Sequence, residues 1–340
     1  MKVNFDTIKL KQVNVDRVRH ALRQSETCTK NSLAQETGLS VASCGNILSE
    51  LLERGEVQEV ALASSTGGRP SRRFAYNARH ALVLVIYLRL EGSMKTIYSA
   101  VVDLRGEVLD ESFAEVAEID VDSIVGQAKL WAARYEQVES VSVGVPGVVN
   151  EGLIEGCDVE SLNGVALASH LNEMLDCPVT VENDVNATAL GFYHQRTNLQ
   201  PESLVYIYFP EDGIAGAGIV VNGRVIRGRN RFAGEVSYMP LSIARHDQAQ
   251  AQQTIDRFAR FASEMVLSTD CLLNPESIVL AGQWLRDEHK DAIQRAVSSS
   301  SLPNHVPELH FECDIHASYL AGLTFSGLQQ LSCGIQIIKI

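Results

Sequence analysis

Apolar residues recur at helical spacing through the first sixty positions, and then the period shortens. Val15, Val18, Ala21 and Leu22 fall on one face of a helix. Thr29 is placed to cap a second helix over Lys30–Glu36, with Leu33 and Ala34 turned inward. Thr37-Gly38-Leu39 makes a tight turn. Ser40 caps a longer helix, Val41–Arg54, whose Ile47, Leu48, Leu51 and Leu52 form one apolar face, and Gly55 ends it. Helix, helix, short glycine turn, helix is the helix-turn-helix pattern. Residues 1–14 are polar with few anchors and are expected to be mobile or to form a short docking segment. Two strands should follow, Val57–Ala63 and Arg72–Tyr76. Between them a tip carries Arg69, Arg72 and Arg73, the wing of a winged helix-turn-helix.

From His80 the texture changes. Leu82–Leu88, Thr96–Leu104 and Glu107–Glu111 alternate or run apolar, as in an antiparallel meander. Val121–Tyr135 predicts a helix with Ile124, Val125, Ala128 and Trp131 inward, and Ser140–Val145 a buried strand. Leu167–Leu175 is a helix and Val179–Val181 a strand; Leu204–Phe209, Ala217–Val221 and Arg224–Arg227 are strands. Ile255–Leu273 is a helix, Ser277–Ala281 a strand, and Ala317–Leu331 a final small-residue helix. Meandering strands followed by strands alternating with helices, twice over, predict two stacked α/β lobes with a cleft between them. The expected domains are 1–79, 80–180 and 181–340, with the last helix able to pack back on the first lobe.

The chemistry concentrates where the strand at Val179–Val181 runs into Glu182-Asn183-Asp184 and the helical Asn186–Gly191. Polar groups at such a junction point out of the sheet edge, where α/β proteins bind ligands. Asn183 and Asp184 offer amide donors, an amide acceptor and a carboxylate, the set that adjacent sugar hydroxyls require. The same pair also serves as a helix N-cap.

Composition narrows the class. An apolar fraction of 45% is ordinary for a globular protein. No run of 18 apolar residues is present, so no membrane span or membrane partner is expected. The N-terminus shows no secretory signal, and the seven cysteines are scattered without a Cys-x-x-Cys pair. A reducing, cytoplasmic setting without disulfides or a thiolate metal site is expected. The net charge of −13 is uneven. Residues 1–79 carry 12 Lys and Arg against 8 Asp and Glu, about +4, and the remainder 17 against 34, about −17. A basic end on an acidic body implies an anionic partner at that end, here double-stranded DNA. The candidate DNA contacts are Lys30, Ser40, Ser43, Asn46, Arg69, Arg72 and Arg73. The longer helix has no Arg or Lys on its N-terminal face, so direct base readout falls to Asn46 and Ser43. Gly45, which costs roughly 1 kcal/mol in a helix interior, has two open readings, close approach to a thymine methyl or drift.

Several stretches taken together resemble the ROK family (repressors, open reading frames, kinases) of the actin-like ATPase superfamily. Val143–Asn150 resembles its Gly-x-Pro-Gly strand end, and Leu162-Asn163-Gly164-Val165 with Pro178–Gly191 the segment ending in its sugar-binding Asn-Asp. Gly213–Gly218, Gly234–Met239 and Asn274–Gly282 resemble its glycine turn, its Gly-Glu-x-Gly-His segment and its late strand. The winged module ending Thr66-Gly67-Gly68-Arg69-Pro70-Ser71 is similar to that of the family's sugar-responsive repressors. The resemblance implies a two-lobed actin-like α/β body behind an α+β winged helix-turn-helix. It also implies sugar contacts from Asn163, Asn183, Asp184 and Glu235.

The departures from the family pattern bear on activity. The kinases' Asp-x-Gly-Gly-Thr phosphate loop is replaced by Tyr87–Thr96, and Glu211-Asp212 precede the later glycine turn. Carboxylates where ATP phosphates would sit disfavour ATP. Tyr238 stands where the family has the histidine of Gly-Glu-x-Gly-His, and the cysteine knuckle is missing, so no metal or cofactor is expected. The expectation is a non-enzymatic, DNA-binding regulator of sugar metabolism, a repressor sensing a sugar or sugar phosphate between its lobes as a homo-oligomer, dimer or tetramer. The alternatives are a ROK sugar kinase, or a ligand-independent regulator whose sugar site has decayed.

Overall fold

A computed structural model describes residues 3–60, 72–91, 94–196, 202–211, 214–301 and 305–331, without the side chains of residues 3–9 and 91. The chain divides into two compact units. One runs to Leu82 and adds Asp103–Glu107 and the stretch from Gln329; the other comprises Val83–Val102 and Val108–Leu328.

The first unit holds helices α1 (Val3–Gln24), α2 (Lys30–Thr37) and α3 (Val41–Glu53) and strands β1 (Val57–Val60) and β2 (Arg73–Tyr76). Residues 3–14, expected to be mobile, are instead the first half of α1. No Gly or Pro interrupts residues 1–24, so the helix seeded by Val15, Val18 and Leu22 runs back through them. Lys11 also reaches Glu50 of α3 at 2.9 Å. Thr29 caps α2 in a reciprocal box with Ser32, and Gly38 closes it at φ 72°. Val18, Leu22, Leu33, Cys44, Leu48, Leu51 and Phe74 form the core of the unit. Antiparallel β1 and β2 pair from Val57↔Tyr76 to Val60↔Arg73, and Cys28 adds a bridge to Phe74. Residues 61–71, with Arg69 and most of the expected wing tip, lie outside the described residues.

The second unit is built twice on one plan. Its first half contains β3 (Leu82–Glu91), β4 (Met94–Asp103), β5 (Val108–Val116), α4 (Val121–Arg134), β6 (Val138–Val145), the hairpin β7 (Gly147–Asn150) and β8 (Leu153–Cys157), α5 (Leu167–Leu175) and β9 (Val179–Asn183). Helix α6 (Asp184–Gln195) leads to β10 (Ser203–Tyr208), β11 (Gly216–Val221), β12 (Arg224–Val225), the short α7 (Gln248–Ala251), α8 (Ile255–Leu273), β13 (Ser277–Ala281), α9 (Asp287–Ser300), β14 (Leu309–Glu312) and α10 (His316–Leu331). One sheet runs β5-β4-β3-β6-β9 and the other β12-β11-β10-β13-β14. Each is a three-stranded meander whose first strand also borders one later strand, which in turn borders a second. Within them β6–β9, β10–β13 and β13–β14 are parallel.

Glycines let α6 and α10 cross closely. A Cβ on Gly191 of α6 would stand 1.8 Å from the Ser318 carbonyl oxygen of α10, and one on Gly322 would stand 1.8 Å from that of Ala187. The far end of α10 lies on the first sheet, where Ser140 Oγ donates to the Gly327 carbonyl at 3.1 Å. Helix α9 and strand β14 are absent from the sequence expectation. Only Ala292, Ile293 and Val297 of α9 are buried, and β14 is a four-residue edge strand.

Candidate functional site

The junction of β9 and α6 forms the floor of a cleft lined by Val148, Val149, Asn183, Asn186, Arg227, Arg231 and Glu235. Asn183 is the N-cap of α6: its Oδ1 accepts from the Asn186 N–H at 2.9 Å. Its Nδ2 donates to the Gly147 carbonyl at 3.0 Å and to Asp184 Oδ1 at 2.9 Å. Asp184 Oδ1 also accepts from the Val185 N–H at 2.8 Å, while its second oxygen accepts no hydrogen bond among the described residues. Gly147 must be glycine because a Cβ would stand 2.3 Å from the Gly156 carbonyl oxygen of the partner strand. Gly234, at φ 96°, docks with its Cβ position 1.9 Å from the Ala217 carbonyl oxygen, which sets Glu235 into the cleft wall.

Carboxylates crowd this point. Burial pushes Asp184 up to about 7, against the Val185 N–H bond and with the help of Asp158 and Glu235. Burial also raises Asp158 and Glu235, and Arg245 opposes both. An acid that titrates near neutrality can accept from a hydroxyl or donate to one. Glu182 is buried and paired with Arg227. Arg231 adopts φ 58°, and its Nε donates to Asn150 Oδ1 at 3.4 Å. Asn186 Oδ1 is buried without a partner among the described residues, an acceptor waiting for a donor. The cleft encloses about 40 Å³, room for roughly three water molecules.

Asn183, Asp184 and Glu235 thus come together, whereas Asn163 does not join them. Its Oδ1 accepts from the Cys157 N–H at 2.8 Å and its Nδ2 reaches the Cys157 carbonyl at 3.4 Å, so its amide braces a loop. It is absent from the cleft lining because this local turn captures the side chain. Tyr238 is exposed, with Phe232 at 5.3 Å and the Arg245 guanidinium 4.4 Å above its ring. The sequence reading missed Asp158, Glu182, Asn186, Arg227, Arg231 and Arg245. Glu182 and Asn186 lay inside the motif, but no local signal marked the other four.

In the first unit, Ser40 caps α3, accepting from the Ser43 N–H at 3.1 Å, and its hydroxyl lies 2.9 Å from that of Ser43. Both hydroxyls are therefore engaged at the helix end. Asn46 and Lys30 are exposed, and the Asn46 side chain makes no hydrogen bond to protein among the described residues. Arg72 pairs with Glu59 at 3.3 Å, and Arg73 donates to Thr27 Oγ1 at 3.0 Å.

Residues 90–248 match the ROK family. The chain is 25% identical over 270 residues to the xylose repressor of Caldicellulosiruptor bescii, covering 76% of this chain and 65% of that protein. It is 24% identical over 246 residues to the DNA-binding transcriptional dual regulator NagC of Escherichia coli, covering 69% of this chain and 59% of that one. The chain thus spans less than two thirds of the length of these relatives. A crystal structure of a ROK family transcriptional regulator, a homologue of the E. coli MLC protein, matches with a TM-score of 0.65 at 21% identity over 95% of this chain and 98% of its own. ROK kinases share the fold of the body as well. The chain carries a ROK family domain, and repressors stand among its relatives.

Proposed function

We propose that the protein is a sequence-specific DNA-binding transcriptional regulator of sugar metabolism, a repressor whose ROK body senses a sugar or sugar phosphate. The first unit is read as a winged helix-turn-helix, with α2 and α3 as the paired helices and β1–β2 as the wing strands. A homo-oligomer, dimer or tetramer, would present two such modules to a palindromic operator. Sugar in the cleft would favour one lobe arrangement over the other and so change the spacing of the modules.

The observation that carries this reading is the pairing, in one chain, of that three-helix unit with a cleft lined by Asn183 and Glu235, with Asp184 hydrogen-bonded to Asn183 beside it. A non-enzymatic role is supported by β3 and β4. They form ten-residue strands through the place where the family's kinases have a glycine phosphate loop. Tyr87 stacks there on Tyr98 at 4.6 Å and on Tyr319 at 4.4 Å. The test is fluorescence anisotropy of the protein on duplex DNA from its own upstream region, with and without a panel of sugars and sugar phosphates. Operator binding weakened by one of them is expected. Failure to bind that DNA, or ATP-dependent phosphorylation of a sugar, would overturn the reading.

A further inference from the structure

Helix α3 is poor in the groups that discriminate bases. Its outward positions are Val41, Ala42, Asn46, Ser49 and Glu53, and its sequence VASCGNILSELLE holds no cation. The structure brings one to it from α2. Lys30 lies along α3 at Gly45, with Nζ 3.5 Å, Cδ 3.7 Å and Cε 3.8 Å from where a Cβ of residue 45 would stand. Its stem lies at van der Waals distance from the Cβ position of residue 45, and its ammonium is carried over that part of the helix. Lys30 is exposed and has no ion pair or hydrogen bond among the described residues. Neighbouring cations are engaged: Lys11 and Arg54 with Glu50, Arg19 with Glu56, Arg72 with Glu59.

We infer that Lys30 reads guanine in the major groove as a member of the α3 surface, its stem lying beside Gly45. The inference rests on the winged helix-turn-helix reading above. The N-terminal half of a recognition helix meets base edges, and Gly45 is the fifth residue of α3. A lysine ammonium donates to guanine O6 and N7, whereas Asn46 suits adenine. A lysine at the start of α2 that leaned away from α3 would meet phosphate only. This one leans toward the half of α3 that carries Asn46.

The test is selection of a randomised duplex library by the full chain, comparing wild type, Lys30→Met and Arg73→Met. Met keeps an unbranched stem and removes the charge. Wild type should enrich a motif with a guanine in each half-site, preferred roughly 5- to 150-fold over other bases. Lys30→Met should lose the preference at that position and keep the rest of the motif. Arg73→Met, on β2 away from α3, should bind more weakly with the motif intact. If Lys30→Met returns the unaltered motif with weaker binding, or the wild-type motif has no guanine, the inference is wrong and the DNA-binding function stands. If wild type enriches no motif, the function proposed above falls and the inference falls with it.

Discussion

Asp184→Asn should stabilise the protein while abolishing its response to sugar. The carboxyl is pushed up to about 7, chiefly by burial, from the ordinary 3.8. Between those values the folded chain holds a proton that the unfolded chain releases, so stability is lost as pH rises from about 4 through 7 and levels off above. A shift of about three pH units corresponds to roughly 4 kcal/mol of penalty in full. The part that develops between pH 5 and pH 8 is about 2.5 kcal/mol. The value of about 7 already includes the lowering by backbone hydrogen bonds at the start of α6. Desolvation therefore wins. Asparagine can keep the bonds that Oδ1 accepts from Val185 and Asn183 and need not ionise. Both tryptophans, Trp131 and Trp284, belong to the unit that holds the cleft, so denaturant melts followed by their fluorescence report on the right body. The variant should be the more stable at both pH values, with a gap that widens by roughly 2–3 kcal/mol from pH 5 to pH 8. A gap independent of pH, or a variant less stable at pH 8, would refute the desolvation argument and leave Asp184 an ordinary helix-start carboxylate.

Other substitutions probe other parts of the argument. Gly191→Ala places a methyl group 1.8 Å from the Ser318 carbonyl oxygen and should destabilise the cleft unit by about 1–3 kcal/mol or more, read from the same fluorescence melts. Gly45→Ala adds a methyl at an ordinary 3.5 Å contact distance from Lys30, so α3 should gain roughly 0.5–1 kcal/mol, measured by amide exchange of its core residues. Arg72→Ala with Arg73→Ala should reduce the slope of log affinity against log salt for DNA by about 1–2; an unchanged slope would remove β2 from the interface. Tyr319→Phe deletes a hydroxyl buried without a partner among the described residues and should be neutral or stabilising in thermal melts, whereas a loss above about 1 kcal/mol would mean that the group is bonded.

The elements legible in the sequence are those with a period and a cap. Helix α8 and strand β13 fall on the residues expected, because an unbroken apolar stripe ends at Asn274 in a left-handed cap before a five-residue buried run. The start of α1 was not legible. Its first turns hold few apolar residues, and what holds them is continuity with a helix packed further along and a lysine reaching Glu50. The crossing of α6 and α10 was visible only as small residues; that Gly191 and Gly322 face each other's helix backbone is a fact of the tertiary fold. Arg245 and Asp158 share the same difficulty, because each joins the Asp184 cluster from a loop of no special composition.

The Asn183-Asp184 pair shows where pattern alone stops. Helix capping and hydroxyl binding call for the same side chains at the same junction, so sequence weighs them as rivals. The fold divides the labour instead. Asn183 uses its oxygen to cap α6 and its amide to tie Gly147 and Asp184 together. With the orphan N–H of the helix end met by its neighbour, Asp184 is released from capping through its second oxygen. It then sits beside Asp158 and Glu235, where a carboxylate is costly to keep. Local stability explains Asn183 in full. It does not explain Asp184, since an asparagine there would keep the same bonds without the buried charge. If Asp184→Asn proves the more stable, the carboxylate is kept for something other than folding, as the sugar contact proposed above requires.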